Sequence, residues 1–342
     1  MTPGQAVDPG YAAFAGARVL ITGGLGFIGY HLSSHLLAEG FEVHAYDNCR
    51  RGSIDLQIEG LRANSRYRLI IGDLIDESSL KRLADDYTYI FHMAAIVGVR
   101  RVAERPYQVL TDNVASLVNV IDLARRQTDL RRLVFPSTSE VYAGTLQYFG
   151  MPFPTPETTP LAVTELAQPR TSYMLSKIYG EALCQHAGVP FTIIRPHNVY
   201  GPRMGMAHVV PELLKRAYQA STGGKLLVFS ANHKRTFCYV DDAVELIIRL
   251  AKAPAGLSGT FNIGSSTEEI SIARLAELIV ATVGKHLEIE PAPVTQGSTE
   301  RRQPHLGRAI TVTGYIPTIS LREGVLQTYE WYRARGFETA EQ

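Results

Sequence analysis

The chain has 342 residues, enough for a large core in one big or two modest domains. It is 45% apolar and 20% charged with a net charge of +1, a balance that gives no argument for nucleic acid or an anionic membrane surface as partner. Three scattered cysteines, Cys49, Cys184 and Cys238, make neither a disulfide framework nor a metal-ligand spacing, and no signal peptide or membrane-length apolar run is present, so a metal-free cytoplasmic protein with reduced thiols is expected.

Residues 1–16, rich in Gly, Pro and Ala, read as a flexible extension. Next comes the stretch that organises the chain, Arg18-Val-Leu-Ile-Thr-Gly-Gly-Leu-Gly-Phe-Ile-Gly29. An apolar run (Val19, Leu20, Ile21) ends in a glycine turn, and Phe27, Ile28, Leu32, Leu36 and Leu37 come after it with helical patterning. Gly23 permits the sharp turn, Gly26 a close approach to a pyrophosphate, and Gly29 close packing of helix on strand. The phosphates would lie at the helix N-terminus, with Phe27 and Ile28 beside them.

Glu42–Tyr46 reads as the second strand, with Asp47 and Asn48 at its tip. A carboxylate there accepts from the adenosine ribose hydroxyls and repels a 2′-phosphate, which favours NAD over NADP. Arg50 and Arg51 lie close behind and argue the other way. Residues 48–60 read as loop, and Tyr67–Ile71 as a third strand ending at Gly72-Asp73-Leu74, where Asp73 could receive the adenine amino group or cap the next helix, 78–85. A fourth strand, Tyr87–Phe91, runs into His92-Met-Ala-Ala95, and one long helix covers 104–126. The fifth strand, Arg132–Phe135, ends in Pro136-Ser-Thr-Ser-Glu-Val-Tyr142.

Prolines then crowd an irregular segment from Tyr148 to Arg170, before a helix over 171–186 and a sixth strand, Phe191–Arg195. Short apolar strands alternating with helices imply an α/β fold, a Rossmann-type doubly wound parallel sheet. Its site should lie beyond the carboxyl ends of the strands, where each polar cluster falls. Residues 17–195 would form the NAD-binding domain. Residues 196–342 would form a smaller mixed lobe for substrate, with some segments returning to the sheet.

Tyr173 and Lys177 stand one helical turn apart and share a face. A nearby ammonium, with the nicotinamide's positive charge, would lower the phenol's pKa and let it take a proton from a sugar hydroxyl. Thr138 would hydrogen-bond that hydroxyl, and Glu140 is a second candidate base. His92, His197 and His208 read as satisfied histidines.

Taken together, Thr22–Gly29, Asp47-Asn48, Gly72-Asp-Leu74, His92–Ala95, Ser137–Tyr142, Tyr173–Lys177, Arg195-Pro-His-Asn-Val-Tyr-Gly-Pro202, Arg235-Thr-Phe-Cys-Tyr-Val-Asp-Asp242 and Phe261–Gly264 carry a resemblance. Over residues 17–334 the chain resembles an extended short-chain dehydrogenase/reductase of the nucleotide-sugar epimerase/dehydratase group. The resemblance implies a bound NAD touching Ala94, Ala95 and the residues already named for the cofactor, and a C4 oxidation with Tyr173 as base, Lys177 on the nicotinamide ribose and Thr138 on the C4 hydroxyl. It also implies Asn198 and Arg235 on the sugar diphosphate, and a homodimer through a four-helix bundle.

The fate of the 4-keto sugar stays open. Thr138-Ser139-Glu140, with Arg170 three residues before Tyr173, resembles UDP-glucuronate decarboxylases. Dehydratases resemble Thr-Asp-Glu there, and Ser139 lacks that acid. Arg195-Pro-His-Asn-Val-Tyr200 departs from the decarboxylase pattern, near Arg-Ile-Phe-Asn-Thr-Tyr, and Tyr173-Met-Leu-Ser-Lys177 looks more like epimerases. A catalytically idle NAD-binding regulator on the same fold is the non-enzymatic alternative.

Overall fold

The computed structural model describes residues 16–337 apart from 255, 267 and 296; nearly all of the expected N-terminal extension lies outside them. Six strands come in order: β1 (Arg18–Thr22), β2 (Glu42–Asp47), β3 (Tyr67–Ile71), β4 (Tyr89–His92), β5 (Arg132–Pro136) and β6 (Phe191–Pro196). A seventh, Gly259–Ile263, comes from the second half of the chain and pairs with β6. The sheet order is Gly259–Ile263, β6, β5, β4, β1, β2, β3, and every pairing is parallel.

Both faces are covered, as an all-parallel sheet requires. Leu20, Ile90, Leu133, Phe135 and Ile193 face the helices Pro106–Arg125 and Pro169–Gln185. Their alternate neighbours Val19, Ile21, Phe91, Val134 and Ile194 face the first helix, Phe27–Ala38, and the helix Val240–Lys252. The strands therefore read as continuous apolar runs. Outside the sheet, Lys225–Phe229 pairs with Glu288–Ala292, while Lys234–Arg235 sits between Ile270–Ser271 and Arg301–Arg302.

Several expected elements differ. The helix expected over 104–126 is two, Val99–Glu104 and Pro106–Arg125, because Arg105 leaves helical geometry before Pro106. The helix expected over 78–85 is one turn, Glu77–Leu80. Within the expected loop 48–60 a helix, Leu56–Arg62, begins where the Asp55 carboxylate accepts from Gln57 N and Ile58 N.

Candidate active site

The glycine turn after β1 lies between the ends of β4 and β2. Gly23 has φ +68°, and a Cβ there would stand 2.7 Å from the Ala94 backbone nitrogen. At Gly29 a Cβ would stand 2.2 Å from the Gly23 carbonyl oxygen. Only Gly26 keeps space on its open side, where Gly23 O at 3.1 Å is the sole neighbour of such a Cβ. The first helix starts next to it, at Phe27 and Ile28, with no side chain closing its amino end and no acid in its first turn. Its free N–H groups and its dipole are thus left for an anion.

Asp47, at the tip of β2, accepts from Leu25 N (3.1 Å) and Cys49 N (2.8 Å). Burial pushes its carboxyl up, against those two bonds. Both oxygens keep lone pairs that ribose hydroxyls can use. Asp73 accepts from Asn48 Nδ2 at 3.3 Å and pairs with Arg50 at 3.1 Å. The next helix is capped by Asp76, so the capping alternative for Asp73 falls away. Leu74 is buried beside it. Ala94 N donates to Thr22 Oγ1 at 3.3 Å, and Ala95 is next in the same segment. Thr22 Oγ1 also meets His92 Nδ1 at 2.9 Å, and burial pushes that imidazole down to about 3, so His92 is a neutral tie between β1 and β4. This turn, helix end and acidic tip fit a dinucleotide.

The second half of the site grows from the end of β5. Thr138 is extended, and its hydroxyl accepts from Glu140 N at 3.2 Å, starting the turn Ser139–Tyr142. Ser139 is buried. The helix Pro169–Gln185 brings Arg170, Tyr173 and Lys177 to the same place. Lys177 Nζ donates to Pro136 O at 2.8 Å and lies 4.9 Å from the centre of the Phe135 ring. Burial lowers its ammonium to about 8.

The expected lowering of the Tyr173 phenol is absent in the protein alone. Burial and the Glu140 charge push it well above its ordinary value; only a hydrogen bond from Thr138 and the charge of Arg51 oppose them. Lys177 gives one N–H to the backbone, and although its Nζ lies 5.7 Å from the centre of the Tyr173 ring its charge is not among those that shift the phenol.

Glu140 is clamped. Arg170 Nη2 donates to both its oxygens at 3.2 Å, and Arg302 Nη2 makes a shorter bond. Burial works to raise the carboxyl, but the two guanidiniums outweigh it and hold Glu140 below the usual range. An ionised, doubly paired carboxylate is a weak base, which counts against the second-base expectation. Arg302 escaped sequence reading because it lies 162 positions from Glu140.

A cavity of about 680 Å³ opens beside this clamp, with Glu140, Arg170 and Met174 on one wall and Lys234, Ser298 and Thr299 on another. Arg235 is buried next to it and donates to the carbonyls of Lys234, Thr299 and Glu300. Asn198, with φ +44°, donates to Thr236 O and does not line the cavity. His197 meets Asn262 Oδ1 at 3.1 Å, and burial pushes it down to about 3, so it stays neutral. Among the described residues no cluster of His, Cys, Asp and Glu could hold a metal, and no helix is long and apolar enough to cross a membrane.

Residues 19–264 match the model of the NAD dependent epimerase/dehydratase family. The chain belongs to that family. It is 32% identical over 330 residues, 92% of this chain and 98% of the relative, to a UDP-N-acetyl-alpha-D-glucosaminuronate decarboxylase of Bacillus cytotoxicus. It is 30% identical over 329 residues, 92% of this chain and 72% of the relative, to UDP-glucuronic acid decarboxylase 1 of Xenopus tropicalis. In three dimensions it is similar to a UDP-glucose 4-epimerase of Thermotoga maritima, determined with UDP-glucose, at 26% identity and a TM-score of 0.80 over 94% of this chain and all of that one. This epimerase/dehydratase-family chain is therefore an NAD-dependent enzyme acting on nucleotide sugars, on the Rossmann-type sheet that its sequence predicts.

Proposed function

We propose that the chain oxidises C4 of a UDP-linked hexuronate, UDP-glucuronate or its N-acetylated counterpart, and then releases the C6 carboxylate as carbon dioxide. The observation that carries this reading is the Glu140 carboxylate held between Arg170 and Arg302 beside Thr138 and Tyr173. Once C4 is a ketone, the electron pair of the C5–C6 bond can move into that carbonyl as carbon dioxide leaves, a proton returns to C5, and the hydride and a proton then return to C4 to give the pentose. Such a step needs cations to orient a carboxylate, and a guanidinium has donors to spare beyond one ion pair. A 4,6-elimination needs a protonated acid for the departing hydroxyl; Glu140 is held ionised, and Ser139 supplies only a hydroxyl.

In this reading Tyr173 takes the C4 hydroxyl proton and Thr138 holds that oxygen. Lys177 would hold the nicotinamide ribose, while Gly23, Gly26, Phe27, Ile28, Gly29, Asp47, Asn48, Asp73, Leu74, Ala94 and Ala95 would hold the rest of the cofactor. Bound NAD supplies the hydride acceptor at C4 and, when oxidised, a positive charge beside the phenol. Residues 17–195 serve the cofactor and most of 196–342 the nucleotide sugar, with Arg235 and Asn198 toward the diphosphate. Tyr107, Val118 and Tyr179 are exposed on the helices Pro106–Arg125 and Pro169–Gln185, which supports a homodimer through those faces; light scattering tests it.

The test is anaerobic incubation of the pure protein with UDP-glucuronate, UDP-N-acetylglucosaminuronate and UDP-glucose, then mass and NMR analysis. Loss of carbon dioxide is expected. Unchanged mass with a new C4 configuration would instead establish 4-epimerisation, the second reading, which the likeness to the Thermotoga maritima enzyme favours.

A further inference from the structure

Two further guanidiniums border this site without touching the groups placed on the sugar, although the charge of one, Arg51, reaches the Tyr173 phenol. Arg51 lies in the segment after β2 and Arg101 in the helix Val99–Glu104 after β4. Because the sheet order runs β4, β1, β2, these two segments flank the glycine turn from opposite sides. Both side chains are partly buried. Among the described residues neither donates a side-chain hydrogen bond or stands within ion-pair distance of a carboxylate.

The backbone that carries Arg51 is packed on the glycine turn. The next residue, Gly52, is pressed on the glycine turn so closely that a Cβ would stand 2.3 Å from Leu25 Cβ and 3.0 Å from the Leu25 carbonyl carbon. Further on, Arg203 binds Asp55 and donates to Leu25 O at 3.4 Å, tying the same segment to the same turn. On the other side, the helix carrying Arg101 packs on the helix that carries Tyr173. Burial, then the charge of Arg101, works against the charge on Arg51, and Tyr173 and Asp47 are the other groups it feels.

Arg51 is therefore carried against the glycine turn by Gly52, four residues past the acid at the adenosine end, and its charge reaches the phenol at the nicotinamide end. Two like charges without a carboxylate partner, one of them desolvated, face each other across the glycine turn, and an anion between them relieves the repulsion. Along a dinucleotide the group of matching charge between those two ends is the diphosphate. We propose that Arg51 and Arg101 form a clamp that closes over the diphosphate of bound NAD and slows its release. Such a clamp serves decarboxylation and epimerisation alike, since both keep NAD bound through the turnover.

The test uses full-length protein with Arg51→Gln, Arg101→Gln and both together, and Arg100→Gln as a control. Arg100 is exposed and pairs with Glu104 on the same helix. The readouts are the NAD Kd by calorimetry, the NAD retained through gel filtration, the Kd for UDP, and the melting temperature without NAD. Each single variant should weaken NAD binding about tenfold, and the double variant more, with the UDP Kd and the Arg100→Gln protein unchanged. Melting without NAD should stay level or rise, since a repulsion has been removed. Unchanged NAD binding in the double variant overturns the clamp. So does weakened UDP binding with NAD retained, which would assign the pair to the nucleotide sugar. Melting that falls in step with NAD affinity would mark a merely structural pair and overturn it too.

Discussion

One short stretch, Ser137–Tyr142, feeds two charged networks that could hardly differ more. Ser137 and Tyr142 turn toward a closed one. There Arg195 is paired with Glu181 at 2.6 and 2.8 Å, donates to Tyr142 Oη at 2.7 Å and to Glu157 O at 3.1 Å, and Ser137 donates to Glu181 at 2.5 Å. Tyr142 Oη in turn donates a hydrogen bond to Asn262 Oδ1 on the edge strand at 3.1 Å. Burial works against the Arg195 charge, yet Glu181 and Tyr142 hold its pKa well above its ordinary value. Thr138 and Glu140 turn toward the open network with Arg170, Tyr173 and Arg302, which borders the cavity. In the closed network every charged group is paired away from the cavity, whereas in the open one the Glu140 carboxylate and the Arg170 guanidinium line it. Buried charge paired away from any cavity fixes a fold; paired charge that lines a cavity can exchange a partner with a substrate.

The sharpest way to break this contrast is Tyr173→Phe. Product formation should fall roughly a thousandfold, the scale of a lost proton-transfer group, with the urea midpoint unmoved. Glu181→Ala should do the opposite, because it strands the Arg195 charge among apolar neighbours. A loss of about 3–5 kcal/mol in unfolding free energy is expected. If Glu181→Ala left stability intact and removed only activity, the closed network would belong to the site after all. Arg302→Gln sharpens the other side: kcat should drop about a hundredfold while the melting temperature barely changes.

The smallest effect concerns pH. Burial lowers Lys177 from 10.5 to about 8. Between those values the unfolded chain binds a proton that the folded chain has released. Stability from this group therefore rises with pH across the window and is flat below it. Activity should move the other way, declining above about 8 as the ammonium is lost. Urea midpoints measured on both sides of the window should differ in the wild type, and that difference should shrink in Lys177→Met.

The sheet was legible because the central strands are apolar on both faces and β1 to β6 each end in a polar cluster. Glycine spacing located the turn at residues 23–29 for a local steric reason that a sequence can carry. Less could be read where contacts are distant. Arg302 is tied to Glu140 by the fold alone, and Tyr173's raised phenol comes from burial and Glu140, neither visible in a Tyr-x-x-x-Lys spacing. The helix Leu56–Arg62 left no apolar stripe, since Ile58 is buried and Leu56 is 90% exposed. The strand Glu288–Ala292 is only half-buried and so lacks the clean run that marks its counterparts.

The late arrival of the edge strand Gly259–Ile263 bears on biosynthesis. A ribosome releases β6 well before the segment that will lie against it, so the nascent sheet carries an open apolar rim while the intervening lobe is still being translated. Asn262, which completes the polar network on that side, arrives just as late. Chains stalled or cleaved before this strand should be the aggregation-prone ones, and chaperone dependence should end once it has emerged.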